Sequence, residues 1–201
     1  MLRTSNLAVI LLGAALLSAP AFSQEDRPKE KSEVSVQAFG SFLKETTDNG
    51  IRQSATDSGG ILATYRYFFS KYHGVEANYG HSLNTNSYAL TSGPLGVNAH
   101  SNEISGAYVF RYPTKWVTPF ALGGVGALVF DPKDALGAST QTRAAFVYGG
   151  GADFNVTPRL FLRAQYRGLV YNSPTFDLAP LTDLERVTHR AEPSVGVGFR
   201  F

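Results

Sequence analysis

The chain has no cysteine, a single methionine and a single tryptophan. Without cysteine an exported chain has no disulfide scaffold and must be held by its own sheet or by its surroundings. Long apolar runs are also missing. The one candidate, Leu7–Leu17 (LAVILLGAALL), falls short of the ~20 residues that a bilayer-spanning helix needs. No segment of comparable length carries a helical apolar stripe. Neither sign of charge dominates: leaving out Arg3, 17 Lys+Arg face 16 Asp+Glu, which gives no ground for a nucleic-acid partner. Lysine is scarce, and its positions are restricted: Lys29, Lys31, Lys44, Lys71, Lys115 and Lys133 fall outside strand-like centres.

What is present begins with an export signal. Arg3 supplies a positive start, Leu7–Leu17 the apolar centre and Ala21-Phe22-Ser23 a small-residue cleavage site before Gln24. The domain plan expected is a signal peptide over 1–23, a charged periplasmic leader over 24–32 (QEDRPKEKS) and one β domain over 33–201. Abundant glycine and aromatic residues suit a large antiparallel sheet.

Eight strands are expected, near 33–44, 59–69, 74–83, 100–112, 117–130, 143–154, 159–171 and 188–201. Their connections alternate strictly. Tight turns are read at 70–73, 113–116 and 155–158, and long loops at 45–58, 84–99, 131–142 and 172–187. An up-and-down barrel with one short-turn rim and one long-loop rim gives this order, and outer-membrane barrels have short periplasmic turns and long extracellular loops. The fold class expected is therefore all-β, an eight-stranded antiparallel up-and-down transmembrane β-barrel.

The final strand alternates: Val195, Val197, Phe199 and Phe201 share one face, and Ser194, Gly196, Gly198 and Arg200 the other. Alternation alone does not separate a membrane barrel from a soluble, lipocalin-like one, which exchanges inside for outside. Two features favour the membrane form. The mid-strand cations are arginines (Arg66, Arg111, Arg163, Arg167, Arg190), suited to enclosed, multiply bonded pairs with carboxylates. Aromatic residues gather near the short turns: Phe68, Phe69, Tyr72, Tyr112, Trp116, Phe154, Phe199 and Phe201, as in an interfacial girdle. The fifth strand resists assignment, because Phe120 and Leu122 alternate with Ala121, Gly123 and Val125.

An eight-stranded barrel is just wide enough to be filled by its own side chains. The expected interior is a structural charge network of Glu76, Glu103, Arg111, Asp153, Arg163, Arg167, Arg190 and Glu192, since buried charges must be paired. A narrow solute pore is the functional alternative.

The signal, the eight strands, the loop alternation and the closing EPSVGVGFRF resemble the small outer-membrane barrels of the OmpA/OmpX membrane-domain type. That resemblance implies outer-membrane lipids and lipopolysaccharide as surroundings. It also implies assembly machinery that reads the terminal strand through Phe199 and Phe201. The peptidoglycan-binding domain that follows some such barrels is not expected, because the chain ends at the barrel.

Enzymatic readings are weak. The barrel enzyme that deacylates lipid A carries its His and Ser two residues apart on one strand face. Here His100 and Ser101 are adjacent and should point to opposite faces. His81 and His100 flank a long loop and would face each other across a hairpin, with His189 near the same rim, but no further ligand is evident for a metal. The glycines at 123–126 and 149–151 lie inside strands and lack the following helix of a phosphate cradle; bends or room for lumen neighbours account for them. No catalytic, cofactor or metal residue is assigned, and any ligand would be met by the long loops.

Overall fold

A computed structural model describes residues 30–43, 46–48, 51–55, 58–90, 93–132, 140–172 and 187–201. The signal segment 1–23, most of the leader and residues 133–139 and 173–186 of the third and fourth long connections lie outside the described residues. Every described element is a strand: β1 Ser32–Leu43, β2 Thr46–Asp48, β3 Ile51–Ala55, β4 Ser58–Phe68, β5 His73–Leu90, β6 Gly93–Arg111, β7 Val117–Pro132, β8 Gln141–Asn155, β9 Leu160–Asn172 and β10 Val187–Arg200.

Eight of these strands form a closed ring in which chain neighbours pair antiparallel and β10 returns to β1. Closure leaves the barrel without an edge. Starting at Glu33 and stepping through residues in register leads to Arg66, Glu76, Ala107, Gly124, Val147, Leu169 and Arg190. The path re-enters β1 at Leu43, ten residues beyond its start. A stagger of ten over eight strands, with about 3.3 Å per residue and 4.7 Å between strands, tilts the strands roughly 40° from the barrel axis. At the short-turn end Ser32 N donates to Phe201 O (3.0 Å) and Phe201 N to Ser32 O (2.9 Å), so the ring closes at the last residue.

Two of the expected long loops prove to be partly sheet. Residues 84–99 extend β5 and β6 beyond the barrel as a paired hairpin, as far as Leu90 opposite Gly93. Their polarity suggests a loop, but backbone pairing, here from Asn84 opposite Ala99 to Leu90 opposite Gly93, needs no apolar stripe. Residues 45–58 contain the β2–β3 hairpin, and β3 pairs with the outer part of β5. Each short turn is tied by a hydroxyl, as turn-forming Ser and Thr do. Ser70 Oγ accepts from His73 N (3.1 Å), Thr114 Oγ1 from Val117 N (3.3 Å) and Thr157 Oγ1 from Leu160 N (2.8 Å).

The burial pattern is inverted relative to a water-soluble domain. Buried positions include Glu33, Arg66, Glu76, Glu103, Asp153, Arg163, Arg167, Arg190 and Glu192, whereas Val34, Val36, Ile61, Ile104, Val125, Phe146, Leu162, Val195 and Val197 are exposed. Such a wall suits lipid and not water. β7 takes the same alternation, with Thr118, Phe120, Leu122, Leu128 and Phe130 buried and Ala121 and Val125 outward. An apolar cluster of Leu128, Phe130, Ala145, Val147, Leu169 and Tyr171 therefore lines the upper lumen on the β7–β9 side.

One expected position changes. Phe68 is fully buried, its ring under the Arg111 guanidinium 3.4 Å away, so it leaves the girdle. Arg159 lies exposed in the short turn, and Phe161 takes the inward position.

The closing seam has one flaw. The β1–β10 register is continuous from Glu33 to Phe39 and resumes at Phe42, missing the positions of Gly40 and Ser41. Because Ser32 and Phe201 exchange both backbone bonds, the Gly40–Pro193 position has the same phase and would do so too. Proline has no N–H to give.

Candidate functional site

The lumen holds a nearly continuous polar column, arranged in three tiers. At the short-turn end the Glu33 carboxylate is a hub: Oε1 accepts from Arg111 Nη1 (2.7 Å) and Arg200 Nε (2.9 Å), and Oε2 from Arg163 Nη2 (3.1 Å). Arg163 also grips Asp153 bidentately, Nε to Oδ1 at 2.7 Å and Nη2 to Oδ2 at 2.8 Å. Arg200 adds Asn155 at 2.7 Å and touches Asp153 at 3.5 Å. A planar guanidinium fits this work because its donors form a fixed fork.

The middle tier is built on Arg66, whose Nε donates to Glu76 Oε2 (2.6 Å) and Nη2 to Gln165 (3.2 Å). Glu76 Oε1 accepts from Asn78 (2.8 Å), and Asn78 Oδ1 accepts from Thr64 (2.7 Å). Gln37 joins this tier to Ser194 (3.0 Å) and, through Ser35, to Arg163.

The upper tier is less well aligned. Arg167 meets Glu103, and its Nη1 lies 3.7 Å from Glu192. Arg190 Nε lies 2.8 Å from Glu192 Oε1, off the hydrogen-bond axis, while its other nitrogens reach Ser82 (2.9 Å) and Ser101 (3.3 Å). Both Glu192 oxygens, Arg167 Nη1 and Gln165 Nε2 are buried without an aligned hydrogen-bond partner among the described residues. Attraction there is coulombic, with little directional bonding.

Phenylalanines separate the arginines at the lower end. Arg66 and Arg163 flank the Phe120 ring at 4.1 and 5.2 Å, and Arg163 and Arg200 flank Phe161 at 4.9 and 4.4 Å. The ring faces offset some of the repulsion between like charges, each contact contributing about 0.5–2 kcal/mol. Gly198 makes this stack fit: a Cβ there would lie 2.2 Å from Phe161 Cζ.

The structure thus gathers Glu76, Glu103, Arg111, Asp153, Arg163, Arg167, Arg190 and Glu192 in one lumen. Sequence reasoning did not assign Glu33 to this network, although Glu33, Ser35 and Gln37 alternate with Val34, Val36 and Ala38. It counted Arg66 only as a mid-strand cation. Phe199 and Phe201 are exposed on the outer wall, their rings 6.5 Å apart.

The histidines stay outside the lumen. His100 faces outward and Ser101 inward, where Ser101 bonds Arg190, so the two do not form a nucleophilic pair. The His81 and His100 rings stack, their centres 5.6 Å apart. His189 Nε2 is 2.7 Å from the Tyr148 hydroxyl. Among the described residues no group of three or more His, Cys, Asp or Glu side chains is placed to hold a metal.

Three solved barrels have the same fold. Neisserial surface protein A is 16% identical, with a TM-score of 0.59 over 85% of this chain and 97% of that one. OprG of Pseudomonas aeruginosa is 15% identical, with 0.60 over 87% and 98%. Ail of Yersinia pestis, solved with the heparin analogue sucrose octasulfate, is 19% identical, with 0.54 over 87% and 100%. No curated protein matches the chain. A family described as the outer membrane protein beta-barrel domain matches residues 9–201. With the lipid-facing wall and the closed ring of eight, that match makes the chain an outer-membrane protein and a member of the outer membrane protein beta-barrel domain family.

Proposed function

We propose that this barrel is non-enzymatic, with its lumen closed by its own side chains, and that it acts through structure and surface contact at the long-loop rim. The observation that supports this best is the Glu33 hub, where one carboxylate draws three guanidinium groups across the short-turn end of the lumen. Charges bonded this closely leave a solute nothing to displace without a cost of several kcal/mol. Residues 1–23 act as the removed export signal and 24–32 as a periplasmic leader. The apolar wall meets membrane lipid and lipopolysaccharide, Phe199 and Phe201 address the assembly machinery, and the long connections meet any extracellular ligand.

Planar-bilayer recordings of the refolded barrel test the closed lumen: silence is expected, and reproducible unitary steps would overturn it. A narrow pore is the second reading, favoured by the loosely bonded upper tier around Glu192. A lipid-modifying activity opposes the proposal from another side. Lipid A and phospholipid profiles should be the same with and without expression, and a deacylated product abolished by His100→Ala or Ser101→Ala would refute the non-enzymatic reading.

A further inference from the structure

The outward faces of β5 and β6 change character as they approach the long-loop rim. Along β6 the outward positions run Phe110, Tyr108, Gly106, Ile104, then Asn102 and His100; along β5 they run Val75, Ala77, Tyr79, then His81. Ile104 is 62% exposed and belongs to the lipid-facing band, whereas Asn102 and the two histidines carry polar groups suited to the headgroup level. The register explains why the imidazoles meet. His81 pairs directly with Asn102, which puts His100 on the adjacent diagonal of the same face.

Two details distinguish this pair from an ordinary polar rim. Asn102 Oδ1 lies 2.8 Å from His81 Nδ1 and accepts from Tyr79 OH at 3.4 Å. A carboxamide oxygen only accepts, so His81 carries its proton on Nδ1 and presents the Nε2 lone pair. That is how a metal-binding imidazole is oriented by an outer partner. The second detail is the spacing. A metal–nitrogen bond of about 2.0 Å plus ~1.1 Å from a ring nitrogen to the ring centre puts two imidazoles on one tetrahedral ion roughly 5 Å apart. The observed centres are 5.6 Å apart, and the rings stack with planes inclined at 26°; the spacing is close to that value, and binding one ion requires the rings to turn out of the stack so that two in-plane nitrogens converge. On β7 the register partner of His100 is Asp131.

We propose that His81 and His100 form an open two-imidazole site for a divalent transition-metal cation of the copper(II) or zinc(II) class, on the outer wall where the lipid-facing band ends. Imidazole nitrogen suits these borderline ions, and solvent fills the remaining positions. Such a site is separate from the lumen and independent of whether the barrel conducts.

The test uses the refolded barrel in detergent, without a histidine purification tag, titrated with copper(II) and read by electron paramagnetic resonance, with zinc(II) followed by calorimetry. One ion per chain with coupling to two nitrogens is expected. His81→Ala and His100→Ala should each weaken binding about tenfold or more, and Asn102→Leu should weaken it by a smaller factor. His189→Ala should leave it unchanged, and gel migration of unboiled samples verifies that each variant is folded. Undiminished binding by the His81→Ala/His100→Ala double variant, or coupling to a single nitrogen, would overturn the proposal.

Discussion

Glu33 and Arg200 face each other across the closing seam, Oε1 to Nε at 2.9 Å, one step from the backbone exchange between Ser32 and Phe201. The seam that completes the wall and the hub that fills the lumen are thus neighbours. Glu33 also neutralises Arg111 and Arg163, so its removal should be felt at three places. Glu33→Gln is expected to lower barrel stability by about 3–5 kcal/mol, because it leaves buried arginines uncompensated. Urea unfolding in detergent or lipid vesicles, followed by tryptophan emission or gel migration, measures this.

Arg66 and Glu76 make a simpler buried pair at 2.6 Å, directly opposite each other in register. Glu76→Leu alone should destabilise strongly. The double change Arg66→Met with Glu76→Leu should cost less than either single change, because both desolvation penalties leave together. The same unfolding assay, run as a double-mutant cycle, checks the sign of the coupling.

Gly198 makes room for the Phe161 ring between Arg163 and Arg200. Gly198→Val should cost about 1–3 kcal/mol, as overpacking does. Adding Phe161→Ala, which removes the obstructing ring, should recover part of that loss. If the double variant is no more stable than Gly198→Val, contact with the ring is not the cause.

Pro193 leaves the Gly40 carbonyl without its seam partner. Pro193→Val supplies the missing N–H and points its side chain to the lipid. It should raise stability by about 0.5–1.5 kcal/mol, the net contribution of one hydrogen bond. Slower amide exchange at that position, together with a higher unfolding midpoint, would verify the repair.

Phe201 has two roles that substitution can separate. Phe201→Ala retains the backbone bonds to Ser32 but removes the ring stacked beside Phe199. It should reduce the folded, outer-membrane fraction in cells severalfold. Purified protein refolded into detergent should lose no more than about 1–2 kcal/mol. Equal losses in both settings would make the ring a packing element and not an assembly signal.

How much of this was legible beforehand follows from which signals are local. Period-2 alternation gave the barrel strands and the inward direction of Arg163, Arg167 and Arg200, because lipid outside and filled lumen inside impose opposite chemistry on successive residues. β7 hid its direction because its inward side lines an apolar patch, so Phe120 and Leu122 look no different from lipid-facing residues. The 84–99 hairpin is held by backbone pairing, and its polar, turn-rich sequence carries no period-2 stripe to signal it. Glu33 is the second residue of β1, where alternation has only just begun. Which arginine meets which carboxylate depends on the ten-residue stagger, a property of the closed ring and not of any one segment.

That stagger also limits the errors this barrel can make. A one-residue slip of β10 against β1 would turn Arg200, Glu192 and Arg190 toward lipid, so the membrane itself rejects every odd misalignment. A two-residue slip keeps each side chain on its proper face and escapes that filter. It would, however, set Glu33 opposite Gly198 in place of Arg200 and disrupt the three-arginine hub. The bilayer therefore checks only parity, and the carboxylate supplies the second check, rewarding the single even alignment in which the ring closes correctly.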